Sequence, residues 1–480
     1  MEWFVGQDYW LARELLQRGV AAVYAIAFVN VLNQWRPLLG ERGLTPVPRY
    51  VERVAWERQP SLFHWRYSDR LAVGLAWAGL VVSIALVVGL AAATPTWVSV
   101  VAFALLFVLY LSYVNVGQIW YAFGWESILL DAGFLAIFLG GNDTAPPLLV
   151  IILFRWLAFR IEFGAGLIKM RGDPCWRELT CLDYHHETQP LPSLFSWYFH
   201  RLPQPLHRVE TAANHVAQLI APFGLFLPQP VAGVAGLVIV VTQSWLVISG
   251  NFSWLNALTV IVALSAFSDS WLDWLPLSPG TGDDAPIWFV ATVLLVTAAV
   301  AVMSWWPIRN MLSPRQAMNA AFNPLHLVNT YGAFGSVTKT RYELVIEGTT
   351  DPDPGPDSDW REYHFKGKPV DVARRPPQIA PYHLRLDWLM WFIAMSPGMG
   401  RHGHWFVPLL EHLRDADPAV LSLLREDPFD GVPPTALRVR RYRYWFATRE
   451  ERRADGNWWR REMVGEFPAT RRGGTSTFRG

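Results

Sequence analysis

Between residues 71 and 310 the chain holds long stretches almost without charge, and the clearest are 71–93, 97–116, 231–249 and 286–306. Crossing a bilayer's hydrocarbon takes about 20 mostly apolar residues in helix, because any other backbone leaves amides unsatisfied in lipid. These four runs therefore read as transmembrane helices. The stretches 147–168 and 209–228 have the length but carry polar residues, and 19–32, 125–141 and 253–267 fall near or below the minimum. The expectation is six to nine spans.

Composition supports lipid as the solvent. The 480 residues are 52% hydrophobic and 17% charged, against about 25% charged in soluble domains. The apolar excess stops before residue 335, after which the chain reads as ordinary charged protein. The expected layout is a multi-span domain over 1–320, an α+β domain over 321–465 and a disordered tail over 466–480. A net charge of +1 gives no basis for nucleic acid as a partner. Only Lys169, Lys339, Lys366 and Lys368 among the 41 basic residues are lysine, a bias that points to a GC-rich, bacterial source. Glu2 and Asp8 precede the first apolar run where a signal peptide would be basic, so the N-terminus reads as retained.

Charge in the connectors bears on orientation. Segment 34–70 carries seven Arg and 169–208 carries five Arg or Lys, whereas 268–286 carries four Asp and neither Arg nor Lys. Positive-inside reasoning puts the first two in the cytoplasm and, with nine spans, the C-terminal domain there too.

Span 147–168 contains Arg155, Arg160 and Glu162, with Lys169 at its end. Each charge at mid-membrane costs about 2.5–3.5 kcal/mol, so each needs a partner. Arg155 and Glu162 are seven apart and share a helical face. Glu126 and Asp131 in 125–141 are the expected counter-charges for Arg155 or Arg160. This network either fixes helix packing or lines a functional cavity. His215, Gln218, Asn115 and Gln118 read as interhelical hydrogen-bonding groups.

The connector after that span, GAGLIKMRGDPCWRELTCLDYHHETQPLP, is dense in Trp, His, Pro and acids. Its Cys175 and Cys181 are the chain's two cysteines; they pair if the loop meets an oxidising compartment and stay thiols in cytoplasm. With His185 and His186 they offer metal-binding atoms, but the spacing fits no zinc pattern, and no metal is expected. A Cys nucleophile with His185 as base lacks a third group.

The run resembles the signature loop of lipase maturation factors, through Asp173, Cys175, Trp176, Cys181, Asp183, Tyr184, His185, His186 and Glu187. A second block is similar to the same family's C-terminal domain: NPLHLVNTYGAFGSVTKTRYELVIEGT, then WREYHFKGKPVDVARRPPQIAPYHLRLDWLMWFIAM. It contains Asn329, Tyr331, Gly332, Phe334, Arg341, Glu343, Arg375, Pro376, Tyr382, Asp387 and Trp388. The resemblance implies a membrane-anchored folding factor for exported, lipase-like clients, without a cofactor, with its C-terminal domain outside the cytoplasm. In animals the family resides in the endoplasmic reticulum membrane; for a bacterial chain the inner membrane is implied. This conflicts with the positive-inside reading. Ala165, Gly166, Lys169 and Trp176 also resemble a segment of vitamin K-dependent gamma-carboxylases, which implies a lysine base. The alternative function is therefore a membrane enzyme acting on a lipid or quinone near Lys169, Glu126 and Asp131, with transport third.

In the C-terminal part, 337–349, 360–366 and 435–448 alternate apolar and polar residues as strands of one antiparallel sheet. The acidic stretch 351–359 is their exposed connector, and 383–395 and 404–424 read as helices on the sheet or membrane surface. The alternating arginines of RVRRYRY read as a solvated outer sheet face.

Overall fold

The structure is a computed structural model that describes residues 2–277, 280, 282, 285–396 and 400–471. Of the acidic loop, Asp283 and Asp284 lie outside the described residues, as does 472–480 of the expected tail.

The chain first rises through α1 (Trp10–Leu39) and returns in α2 (Asp69–Val87). It continues with α3 (Thr96–Val116), α4 (Gly124–Ala136) and α5 (Leu148–Arg171). After a connector holding the short helix α6 (Leu182–Thr188), the bundle resumes with α7 (Gln204–Leu219), α8 (Val231–Ser249), α9 (Leu255–Ala263) and α10 (Ile287–Met303). Two ends can be told apart by their contacts. At the first, Arg13 donates to the carbonyls of Gly141 and Thr144 (2.7 and 2.6 Å), and Asp269 accepts from the amides of Trp10 and Leu11 (3.2 and 2.9 Å). At the second, Asn30 and Gln34 near the far end of α1 donate to His383 of the C-terminal domain (2.5 and 2.6 Å). Apart from α6, these segments run alternately between the two ends. The Arg-rich connectors, the cysteine loop and the C-terminal domain thus share one end, and the acidic loop lies at the other.

Five of these helices are long and apolar enough to cross a membrane: α1, α2, α3, α8 and the stretch Ile287–Leu312 that begins with α10. Their outward faces are bare hydrocarbon. Trp77, Val81, Ile84 and Val88 are exposed at helical spacing on and just after α2, as are Val101, Leu105 and Val108 on α3 and Val234, Leu237, Val241 and Trp245 on α8. A soluble helix points its polar face outward; this inverted pattern is that of an integral membrane protein. The sequence understates α1 as 19–32. At 30 residues it is about 45 Å long, and its polar ends, Arg13, Gln17, Asn30 and Gln34, are buried in protein contacts. The expected span 209–228 instead is α7 followed by a separate short turn, Ala221–Gly224, with Pro222 inside it.

The C-terminal domain is built on β1 (Arg341–Thr349), β2 (Arg361–Glu362), β3 (His364–Phe365), β4 (Leu424–Glu426), β5 (Ala436–Phe446) and β6 (Trp459–Arg471). β2, β1, β5 and β6 form an antiparallel sheet in that order, and β3 pairs with β4. Helices α11 (Arg385–Met395) and α12 (Gly403–Arg414) complete it. Residues 351–359 do connect β1 to β2. Two expectations change. The chain from 466 to 471, expected in the tail, is the end of β6, paired with β5 as far as Ala436 opposite Arg471. RVRRYRY is a central strand: Arg438 is buried against Glu347 (2.5 Å) and over Trp360 (4.1 Å), and Arg440 lies between Glu347 and Glu466 (3.5 and 3.2 Å).

Candidate functional site

Helices α5, α7, α8 and α9 enclose, under the cysteine loop and residues 331–338, a mainly apolar cavity of about 1230 Å³. Two polar clusters interrupt its wall. Glu162 accepts from Gln243 (2.6 Å), whose carbonyl oxygen accepts from Asn256 (2.6 Å). Two turns further along α5, the Lys169 ammonium donates to Gln218 (2.9 Å) and lies 4.8 Å from the centre of the Trp176 ring. A carboxylate and an ammonium are thus held in one cavity by neutral amides rather than by direct pairing.

The cysteine loop roofs this cavity. Cys175 and Cys181 are joined as a disulfide, which removes both the thiol nucleophile and the mixed Cys–His metal set considered from sequence. Asp173 caps the turn by accepting from the Cys175 amide (3.0 Å), and Trp176 donates to the Phe334 carbonyl (2.7 Å). The disulfide packs with Trp176 against Tyr184, Phe334 and Val337. Asp183 is half-buried and its amide donates to Thr180 (3.1 Å). His185 is buried with its ring 5.4 Å from that of Phe334; burial, then the nearby Lys169 charge, pushes its pKa down to about 4. Burial holds His186 well below the usual imidazole value. Glu187 accepts from the Phe446 amide (2.7 Å), tying the loop to β5.

The charge network differs from the sequence expectation. Asp131 pairs with Arg160 (2.8 Å), but Glu126 pairs with Arg385 of α11 (2.7 Å). Among the described residues Arg155 pairs with no carboxylate; it donates to the carbonyls of Ser265 and Leu225 and to the Tyr9 hydroxyl (2.9, 3.1 and 2.8 Å). Glu126 lies near the second end of the bundle, where α11 presents an arginine, whereas Arg155 lies near the first, among helix ends whose last carbonyls have no intrahelical amide and accept from its guanidinium. Glu126 and Asp131 are consequently away from Lys169, and the carboxylate nearest in role is Glu162.

The C-terminal motif residues mostly lock the two parts together. The Asn329 carbonyl accepts from Arg160 (2.8 Å), the Tyr331 hydroxyl donates to Asp131 (2.8 Å), and the Gly332 amide donates to Asn319 (3.2 Å). Arg341 donates to the carbonyls of Glu187, Gln189 and Pro190 (3.1, 2.5 and 3.2 Å) and pairs with Glu343, which also pairs with Lys368. Burial lowers the Lys368 pKa to about 8 and raises that of Asp387, which accepts from the Gly367 amide, to about 6. Arg375 donates to the Leu194 carbonyl (2.9 Å), Pro376 is buried, and Tyr382 accepts from Gln34 (3.1 Å). The Trp388 ring lies 5.0 Å from that of Trp125. Sequence reasoning missed Gln243, Asn256, Lys368 and Arg385. The first two had a signal, since an isolated amide in an otherwise apolar span needs an interhelical partner.

Known proteins share both parts. A family model described as Lipase maturation factor transmembrane domain matches residues 11–274, and one described as Lipase maturation factor C-terminal domain matches 327–469. Lipase maturation factor 1 of Bos taurus is 42% identical over 96% of this chain and 88% of its own length, and that of Homo sapiens 40% over 96% and 87%. Lipase maturation factor 2 of Homo sapiens is 28% identical over 95% and 82%. No solved structure matches the chain.

Proposed function

Because the chain belongs to the lipase maturation factor family, we propose that it is a membrane-anchored maturation factor for exported clients of the lipase class. The observation that carries this reading is the match of both parts, in order, to relatives so named. The architecture suits the role: the sheet domain is fixed to the bundle by the buried Arg385–Glu126 ion pair and by the hydrogen bonds of Arg341 to the cysteine loop, so the surface offered to a client is rigidly held. The disulfide supports an oxidising compartment for the loop and the sheet domain at the same end, and the GC-biased composition supports a bacterial inner membrane. The charge clusters are proposed to be structural where they join the two parts and functional where Glu162 and Lys169 face the cavity.

The test is disruption of the gene in its host, measuring the activity of each exported lipase per unit of secreted antigen. Specific activity of a client should collapse and return with the wild-type gene. Unchanged specific activity for every exported lipase would overturn the proposal.

A further inference from the structure

Beside the cavity, and separate from the Glu162 and Lys169 clusters, three side chains converge from two elements. His207 and Glu210 stand three apart on α7 and so share one face. His186 meets them from α6. One nitrogen or oxygen from each lies within 4.8 Å of the others.

Their hydrogen bonding is incomplete. His186 and His207 are buried, with 2% and 1% of their surface exposed. Neither ring nitrogen of His186 has a partner among the described residues, nor does Nδ1 of His207 or Oε2 of Glu210. Buried polar groups are nearly always satisfied, so unpartnered atoms on three side chains gathered within 4.8 Å call for a common acceptor of electron pairs. A proton fits poorly, since it can serve two of these atoms at once but not three. A cation serves all three.

Part of a supporting shell surrounds the three side chains. Oε1 of Glu210 accepts from the Trp245 indole (2.6 Å), which fixes the carboxylate with Oε2 turned away. Phe199 packs on His186 and on Trp245, with ring centres 5.5 and 4.9 Å apart. One oriented carboxylate and an apolar wall are the usual surroundings of a transition-metal site. Asn214, one turn beyond Glu210, also has an unpartnered Oδ1 and lines the same cavity.

We propose that His186, His207 and Glu210 bind one divalent transition-metal ion, of the zinc class, at the wall of the cavity. Two imidazoles and a carboxylate match three-ligand zinc sites, which keep a fourth position for water or another donor. Calcium and magnesium are disfavoured because they take oxygen ligands. The fourth position opens toward the cavity, which His186 and Glu210 both line. The ion joins α6 of the cysteine loop to α7 of the bundle, so it ties the roof of the cavity to its wall. Sequence reasoning weighed His186 with the cysteines and so missed its partners; the signal was the His207–Glu210 spacing.

The test uses the full-length chain in detergent, with any affinity tag removed, stripped by a chelator and titrated calorimetrically with zinc. Cobalt serves as the spectroscopic probe of coordination. One zinc per chain is expected, with tetrahedral-type cobalt bands and a rise in melting temperature. His186→Ala and Glu210→Gln should each weaken zinc binding more than about 100-fold and abolish the melting shift, while His412→Ala, far from the site, should change neither. Glu210→Gln keeps the side chain's shape and its acceptor for Trp245, so it decides the matter if His186→Ala does not fold. Absence of stoichiometric binding by the wild-type chain, or binding unchanged in Glu210→Gln, would overturn the assignment.

Discussion

Arg385 shows how a single residue joins the two halves of the molecule. Its guanidinium is fully buried, pairs with Glu126, donates to Asn30 (2.8 Å) and to the Trp120 carbonyl (2.5 Å), and lies over the Tyr121 ring (3.5 Å). Removing one member of such a pair leaves an uncompensated buried charge, at a cost of about 3–5 kcal/mol, whereas an apolar replacement of both is often tolerated. Arg385→Met is therefore expected to lower stability by that amount, and Arg385→Met with Glu126→Met by clearly less than the sum of the single changes. Thermal unfolding of the detergent-solubilised variants supplies the cycle; strict additivity would mean that the two charges are not coupled. Sequence showed that Glu126 needed a cation but not which one. Its partner is 259 positions away in a helix with no unusual pattern, while Arg155 and Arg160 stood close in sequence and drew the assignment. Asp131 was legible as a counter-charge for Arg155 or Arg160, because the helices that carry them are neighbours in the chain, and it is Arg160 that it pairs with.

At the scale of elements, the legible ones were those whose solvent is uniform. α2, α3, α8 and α10 face lipid along one side, and their apolar runs mark them within a few residues. α4 and α9, with 13 and 9 residues, are wrapped by other helices and need no full-length apolar run. β6 was missed because WRREMVGEFPATR carries charges on an edge strand that pairs on one side only, and a proline within a run is a weak strand signal. The cysteine loop was legible by composition, and its disulfide was legible only as a possibility, because pairing depended on a compartment that the sequence left open. That bond closes a ring of seven residues, from Cys175 to Cys181, for which chain entropy gives a stabilisation of about 2 kcal/mol. Cys175→Ser with Cys181→Ser should lower stability by about that amount. Because Trp176 lies on the bond and over Lys169, the change should also raise proteolytic cleavage between 172 and 181. Cleavage and unfolding identical to wild type would show that the bond holds nothing in place.

For the whole molecule the open quantity is which end faces the cytoplasm, and two physical rules disagree. The end that carries seven arginines in 34–70 also carries the disulfide and the sheet domain. Charge bias orients short connectors but weakens for long ones and for folded domains, and part of the positive charge at this end is engaged: Arg36 of 34–70 lies 3.7 Å from Asp69, and Arg201 of the connector 169–208 donates to the Phe446 carbonyl (3.5 Å). A disulfide, by contrast, does not persist in a reducing cytoplasm. The disulfide is therefore expected to win. In a chain lacking both native cysteines, Glu57→Cys reports the arginine-rich end and Asp273→Cys the acidic end, both at exposed positions. A thiol reagent that cannot cross the inner membrane should label Glu57→Cys in intact cells and Asp273→Cys only after permeabilisation. The reverse pattern would place the loop, the sheet domain and the proposed metal site in the cytoplasm, where an exported client is out of reach, and the maturation reading would fall with it.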